Sequence, residues 1–473
     1  MQGASTGLLP AAANGSGCGA GLFARHNLFS YYLFKKISGL AIVIRFCVVY
    51  NHAVLSVQRA AGSSPPARME LSPVKEKNMH HMRSEAEAIR EQLSTWRETL
   101  HRHPELSLKE FWTTDYLKKE LAAMGVEIVD WGGETGVVGL LRGARPGKCV
   151  ALRADIDALP IEEKSGVPFA SENPGVMHAC GHDSHMAALL GAARLLAARK
   201  NDMAGTVKFI FQPAEEIFTG GPLMVKKGVL ENPHVDFIFG QHNICEYPAG
   251  KGLVSPGPIM ACTAFISITV HGKGGHGAVP HLAHDPVVAA AAIVSSLQTV
   301  VSREMRPTEA VVVTIGSIHG GTVANVIPDT VTMQGTVRCF DLELFHELGD
   351  RLRRIIDHTA AAYNVKADFD YNELVPNVNN PPELVQWLRN GPMKEVYGAE
   401  NILPCTPSMG GEDFACYMAQ TPGVFVWFGS GNPEKGIRFS WHNPAFNVDD
   451  ESLIYGAALY AQVALDWLAE TAG

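Results

Sequence analysis

Apolar positions along the chain change period several times, and each change predicts an element. Between Ser84 and about Leu100, Ile89, Leu93 and Trp96 recur at helical spacing, with Glu85 and Glu87 at the positive end of the helix dipole. A second helix is predicted from about Lys109 to Met124, closed by Gly125. Short apolar runs at 126–129, 136–141 and 149–153 read as strands, and Ala187–Lys200 reads as a helix of small residues suited to burial against a sheet. Val207–Phe211 and Val235–Gly240 are strand-length apolar runs. Each gives way to polar residues, Gln212-Pro213-Ala214-Glu215-Glu216 and Gln241-His242-Asn243. Strand, polar cluster, helix, strand, polar cluster is the pattern of an α/β sheet whose site lies beyond the carboxyl ends of its strands.

At Ala261 the pattern shifts. Phe265, Ile266, Ile268 and Val270 mark a strand, and a Gly/His loop spans His271–His284. Asp285-Pro286 supplies a cap and an N1 proline for a helix to about Arg303. Strands at Ala310–Ile318 and Thr330–Cys339, a helix with Leu342, Phe345, Leu348, Leu352 and Ile355 on one stripe, and a strand at Val365–Tyr371 complete a β-α-β-β-α-β order, the ferredoxin-like arrangement. The tail returns to α/β, with a helix near Pro382–Tyr397, a strand at Val424–Phe428 and a last helix from Asp450 to about Ala469. The expected architecture is an α/β/α hydrolase domain, 81–258 and 373–473, carrying an inserted ferredoxin-like βαββαβ lid or dimerisation domain, 259–372.

Composition narrows the function. The 473 residues are 46% hydrophobic and 18% charged, enough for sizeable cores. A net charge of −9 without a Lys/Arg run argues against a nucleic-acid partner. None of the nine cysteines forms a CxxC pair, which argues against a disulfide framework and for a cytoplasmic protein. Residues 1–80 stand apart as a Gly/Ala/Ser-rich, poorly ordered extension. Its apolar run, Ile37–Val57, carries Arg45, and a charge at mid-helix costs about 2.5–3.5 kcal/mol on insertion, so a membrane span is not expected.

The candidate chemistry is concentrated at Met177-His178-Ala179-Cys180-Gly181-His182-Asp183-Ser184-His185-Met186, where five potential metal ligands fall within ten residues. Cys180 and His182 can reach one ion, with Asp183 and His185 as competitors; a following helix would turn His185 away from His182. Glu215 and Glu216 are costly as an adjacent pair unless a cation neutralises them, and two neighbours can divide the work of metal ligand and proton acceptor. His242 and the distant His442, in Trp441-His442-Asn443-Pro444, are each unremarkable alone. Taken as a set, these residues supply enough ligands for two ions that share a bridging group.

The sequence resembles the di-metal aminoacylase/carboxypeptidase family, specifically amidohydrolases of the hippurate hydrolase, N-acyl-amino-acid hydrolase and plant auxin-conjugate hydrolase type. The matching pieces are Arg102-His103-Pro104-Glu105, the stretch 153–160, His178-Ala179-Cys180-Gly181-His182-Asp183, Phe211-Gln212-Pro213-Ala214-Glu215-Glu216, Gly274-Gly275-His276-Gly277-Ala278, the stretch 321–328, Gly410-Gly411-Glu412-Asp413-Phe414 and His442-Asn443-Pro444, in family order. The resemblance implies Cys180, His182, Glu216, His242 and His442 as ligands of two divalent ions, Mn or Zn, with Cys180 bridging. It implies Glu215 as general base, His276 as the group that polarises the scissile carbonyl, Asn325 near the substrate carboxylate, and Asp155, Asp157 and Asp183 behind the ligands. Related di-zinc peptidases carry His-x-Asp where Asp155-Ile156-Asp157 stands and an Asp bridge where Cys180 stands, so the ion does not carry over. The implied activity is hydrolysis of small-molecule N-acyl amino acids, hippurate-like or N-acetyl, by a homodimer joined through the lid. The alternative is a metallo-carboxypeptidase or dipeptidase on the same scaffold.

Overall fold

Runs that are apolar on both sides of a strand need a layer on each side, and the chain builds one. A computed structural model of the protein describes residues 82–470, together with two strands, Ser30–Ile37 and Leu40–Cys47, that pair antiparallel with each other. The expected extension at 1–80 otherwise lies outside the described residues, as does most of the apolar run Ile37–Val57.

The first expected helix is two, Met82–Ala88 and Arg90–Arg102 (α1, α2), followed by Phe111–Ala123 (α3). Strands Glu127–Val129 (β1), Val137–Arg142 (β2), Arg145–Asp155 (β3), Ala204–Gln212 (β4), Phe237–Pro248 (β5) and Gly252–Leu253 (β6) come next, with helix His182–Ala197 (α4) between β3 and β4. The inserted segment supplies Cys262–His271 (β7), Pro286–Thr299 (α5), Val311–His319 (β8), Thr330–Cys339 (β9), Leu342–Ala362 (α6) and Lys366–Val375 (β10). Ile402–Leu403 (β11), Gly423–Gly431 (β12) and the last helix, Glu451–Glu470 (α7), return to the first layer system.

The main sheet runs β11-β6-β12-β5-β3-β4-β2-β1, with β12, β5, β3 and β4 mutually parallel at its centre. Successive side chains on these strands feed opposite cores. Val150, Leu152, Phe237, Phe239, Val424 and Val426 pack with α4 and α7 on one face. Cys149, Ala151, Ile238 and Phe425 pack with Met224, Phe414 and Tyr417 on the other. This is the α/β/α layering expected. Gly191 is required at the α4 contact, since a Cβ there would lie 2.4 Å from Leu93 Cδ2 and 2.9 Å from Ala457 Cβ.

One expectation shifts here. The strand expected to stop at Gly240 continues to Pro248, because β12 still offers ladder partners beyond it: Trp427 faces His242 and Phe428 faces Asn243. His242 therefore sits inside a strand rather than after one.

The inserted segment forms a separate antiparallel sheet, β8-β9-β7-β10, with α5 and α6 on one side and its own apolar core around Ile266, Ile293, Leu297, Phe345, Leu348 and Leu352. Asp285 caps α5, accepting from the amides of Val287 at 2.9 Å and Val288 at 3.3 Å. The segment Pro286–Glu304 is, among the described residues, the one helical stretch long and apolar enough to cross a membrane; here Ala289, Ala290, Ile293 and Leu297 bury its apolar stripe in the small sheet's core. Entry and exit are adjacent: Thr263 on β7 is the cross-strand partner of Val375 on β10.

Phe239, fully buried on β5, is a direct probe of the layered core. Phe239→Ala is expected to lower stability by about 3–5 kcal/mol in chemical denaturation, as buried Phe truncations do; a loss below about 1 kcal/mol would contradict tight packing of that face.

Candidate active site

Three parallel strands deliver the chemistry to one end of the sheet. β3 ends at Asp155 and leads to Asp157; β4 ends at Gln212 and turns through Ala214 to Glu215 and Glu216; β5 carries His242. Glu215 and Glu216 thus lie in a turn past the strand, and strand alternation does not separate them. The turn is set by Ala214, whose φ of 54° is left-handed for a residue with a side chain, and by a 2.7 Å bond from the Phe218 amide to the Glu215 carbonyl. Cys180 and His182 flank the start of α4. Gly181 between them has φ 86°, and a Cβ there would fall 2.3 Å from Asn243 Nδ2. Only glycine lets the Asn243 amide reach the Cys180 carbonyl, at 2.7 Å.

The donor atoms converge. His182 donates from Nδ1 to the Asp157 carbonyl at 2.8 Å, and His242 donates from Nδ1 to the Asn243 carbonyl at 2.8 Å. Both rings therefore turn Nε2 inward, the arrangement by which an outer hydrogen bond fixes a ligating imidazole. His242 Nε2 lies 3.4 Å from Cys180 Sγ. His182 Nε2 lies 3.8 Å from Glu216 Oε1; both atoms are buried and neither has a hydrogen-bond partner. Glu216 Oε2 lies 3.4 Å from His442 Nε2. Cys180 belongs to two triads whose ligand atoms lie within 4.8 Å of one another, Cys180-His182-His242 and Cys180-Glu216-His442. Inward, unpartnered nitrogen and oxygen around a shared thiol fit a divalent pair.

Electrostatics point the same way. Burial drives the Cys180 thiol far above its usual range, and the charges of Glu216, Glu215 and Asp155 push it further. Burial alone would pull the His182 imidazole down, but Asp155, Asp157 and Glu216 raise it to about 10. The pocket thus holds an excess of negative charge that calls for a cation. His242 is driven well below its usual value, first by burial and then by neighbouring His185, which favours the neutral ring that can bind a metal. Burial, then Glu412, Glu216 and Asp413, push Glu215 well above the carboxylate range.

The residues behind the candidate ligands divide into two groups. Asp155 accepts from His185 Nδ1 at 2.6 Å and from Arg153 Nη1 at 2.8 Å. Asp157 accepts from Ser107 at 2.6 Å and from the Glu216 amide at 3.0 Å. Asp183, by contrast, turns away from the ligands: it accepts from Arg97 Nε at 3.1 Å and His101 Nδ1 at 2.8 Å. This corrects its expected place behind the cluster; the helical rotation that separates neighbours sends it to the α2 side. His442 is 55% exposed, with a left-handed φ of 62°, so it forms the solvent side of the cluster. His276 and Asn325 are exposed on the lid and joined to each other through the Gly277 amide, which donates to the Asn325 carbonyl at 2.8 Å. Among the described residues, His276 belongs to none of the metal-capable clusters.

Sequence reading assigned no role to Arg153, although a charged residue inside the apolar run Cys149–Ala154 was a signal. Its guanidinium is fully buried and meets Asp155 at 2.8 Å, Glu412 at 2.9 Å, Asp413 at 3.0 Å and Gln212 at 2.9 Å. Asn243 was also missed. Its backbone amide donates to His185 Nε2 at 3.0 Å, fixing the ring whose other nitrogen holds Asp155.

With this geometry in view, comparisons with known proteins are informative. Residues 151–466 match the model of Peptidase family M20/M25/M40. The N-acetylcysteine deacetylase of Bacillus subtilis is 40% identical over 379 residues, covering 80% of this chain and 97% of that one. The IAA-amino acid hydrolase ILR1-like 4 of Arabidopsis thaliana is 40% identical over 378 residues, covering 79% and 85%. The crystal structure of the Bacillus subtilis YXEP protein, a dinuclear metal binding peptidase from the M20 family, superposes with a TM-score of 0.70 at 38% identity, covering 81% of this chain and 99% of that one.

His101 makes the contact between α2 and the start of α4 pH-sensitive. Its two nitrogens face Asp183 at 2.8 Å and Glu163 at 3.1 Å, so both must donate and the ring is charged. Burial opposes that charge, but Asp183 and then Glu163 raise the pKa from 6.5 to about 8. A raised folded-state pKa stabilises below the unfolded value and fades as pH rises through the folded one. The wild type should therefore lose about 2 kcal/mol from this ring between roughly pH 6 and 9, a loss that His101→Gln should lack in paired denaturation curves. Parallel pH profiles for the two proteins would contradict a charged His101.

Proposed function

The chain belongs to peptidase family M20/M25/M40, and from that premise we propose that it hydrolyses the amide bond of N-acyl amino acids, releasing a carboxylic acid and a free amino acid. The observation that carries the reading is the place of Glu215: a buried carboxyl within ligand-atom reach of His182 and Glu216 yet outside both Cys180 triads. Binding through the two Cys180 triads does not need a further carboxyl at that place, whereas hydrolysis needs a base beside them.

Cys180, His182, Glu216, His242 and His442 would hold two divalent ions, zinc suiting the thiolate and imidazoles and manganese the carboxylate, and such ions activate water and polarise an amide carbonyl. The chain's own residues then do the following. Glu215 takes a proton from the attacking water and delivers it to the leaving nitrogen. Arg153 holds Glu412 and Asp413 against Asp155, fixing the charges that tune Glu215. His276 donates toward the carbonyl oxygen as it gains charge, and Asn325 binds the substrate carboxylate beside it. N-acetyl, benzoyl and indole-acetyl amino acids are the substrate classes that the deacetylase and IAA-amino acid hydrolase relatives suggest.

The lid also favours a homodimer. Its two edge strands differ: β10 carries Lys366, Asp368, Asp370 and Glu373, charges that discourage pairing, whereas β8 (Val311–His319) carries no acidic or lysine residue and exposes Val312 and Ile318. A second copy of the chain pairing along β8 would satisfy that edge.

Glu215→Gln should cut turnover of an N-acyl amino acid by about 100- to 10,000-fold while bound metal, measured by elemental analysis, is retained. Turnover near that of the wild type would remove Glu215 as the proton carrier, and preference for free-amine dipeptides over their N-acetyl forms would favour a dipeptidase. Val312→Lys should convert a dimer to a monomer by light scattering; a wild type that is monomeric at micromolar concentration would rule out pairing along β8.

A further inference from the structure

Glu110 is a fully buried acid outside every ligand cluster described above. It stands at the N-cap of α3, yet its side chain makes no capping bond. That task belongs to Glu105, whose carboxylate accepts from the amides of Trp112 at 3.1 Å and Thr113 at 2.9 Å. Burying a carboxyl without a capping role costs stability, and a neutral residue would cost less unless the oxygen is needed elsewhere. The Glu110 carboxyl is raised to about 7 by burial and then by the charge of Asp157, and its Oε2 has no hydrogen-bond partner.

Hydrogen bonds from its own amide, Thr135 and Ala214 oppose that rise, and the last of them crosses the fold. Glu110 Oε1 accepts from the backbone amide of Ala214 at 2.9 Å. Ala214 is the left-handed residue that turns the chain into Glu215, and its carbonyl accepts from the amides of Thr219 and Gly220, each at 3.1 Å. A non-glycine residue held at positive φ needs surroundings that over-determine it. On the other side of Glu215, the Glu216 amide is held by Asp157, itself fixed by Ser107. The segment 105–110 is tied to this region by the Leu106–Ala158 bridge and by the Ala158 amide, which donates to the Glu105 carbonyl at 2.8 Å. Two carboxyls thus grip the backbone on either side of the proton carrier.

We propose that Glu110 is a positioning residue for the reaction: by anchoring the Ala214 amide it fixes the turn that aims the Glu215 carboxyl. This rests on Glu215 being the proton carrier. Misplacement of a reacting group by about 1 Å can cost on the order of 100-fold in rate, and a turn freed at Ala214 permits such a shift.

The test compares Glu110→Ala, Glu110→Gln and Glu215→Gln with the wild type, as metal-loaded full chains, with rates normalised to metal content and folded fraction. Glu110→Ala should lower kcat about 10- to 100-fold with KM within about twofold, because the substrate's binding groups are untouched. Glu110→Gln keeps an acceptor oxygen for the Ala214 amide and should bring kcat back to within about threefold of the wild type. If the alanine chain does not fold, Glu110→Met, similar in length but without the acceptor, takes its place. Loss of metal, a rise in KM that accounts for the whole effect, or failure of the Gln variant to restore kcat would overturn the inference. An active Glu110→Ala beside an inactive Glu215→Gln would overturn the inference alone; an active Glu215→Gln would overturn the reading of Glu215 on which it rests.

Discussion

The guanidinium of Arg153 is the fixed charge around which this site is built. Three carboxylates, Asp155, Glu412 and Asp413, meet it in a space closed to water. Burial raises Glu412 and Asp413 and Arg153 opposes it, while Asp155 is held low by His182 and His185 as well as by Arg153. With that cation in place, an acidic wall stands at the ends of the parallel strands, and Glu215 and the donors around Cys180 face that wall. The surplus of negative charge left over is what a pair of divalent ions would neutralise. Two kinds of positive charge therefore share the work, one covalently part of β3 and one to be captured from solution.

Much of this was legible in the sequence, for physical reasons that can be named. The parallel strands announce themselves because burial on both faces demands unbroken apolar runs, as in Val207–Phe211. Glu215 and Glu216 were visible because polar residues stand out where such a run ends, whereas His242 lies inside its strand. What escaped was anything decided by rotation or by a distant partner. Asp183 sits next to His182 in sequence but faces Arg97, because a helix turns neighbours apart. Glu110 looks like an ordinary helix-start acid until its hydrogen bond to Ala214 is seen. The extent of β5 was misjudged since strand length there is set by β12, nearly two hundred residues away in sequence and invisible to local pattern.

The left-handed residues around the centre share a logic. Ala214 and His442 both adopt positive φ despite bearing side chains, and both are close to a proposed functional group. Such conformations cost on the order of 1–3 kcal/mol each and persist only where the surrounding contacts outweigh them. Here those contacts are visible: the Glu110 carboxyl at Ala214, and the bond from the His442 amide to the Ala179 carbonyl at 2.8 Å. At both positions the strained backbone stands where a side chain must be aimed, and Phe218, with a φ of 52°, adds a second left-handed residue to the turn that carries Glu215.

The point where the lid joins its support has a consequence for how such molecules diversify. Thr263 and Val375 face each other across one pair of strands, so the chain leaves and re-enters the main layers at nearly the same spot. To the larger sheet, the intervening segment is equivalent to a short loop. Insertions are tolerated best where the flanking ends already lie together, so the segment's size places no strain on either anchor. The molecule is in this sense modular hardware: a socket that holds the buried donor set, and a cassette, anchored at one seam, that brings His276 and Asn325 on a frame of its own.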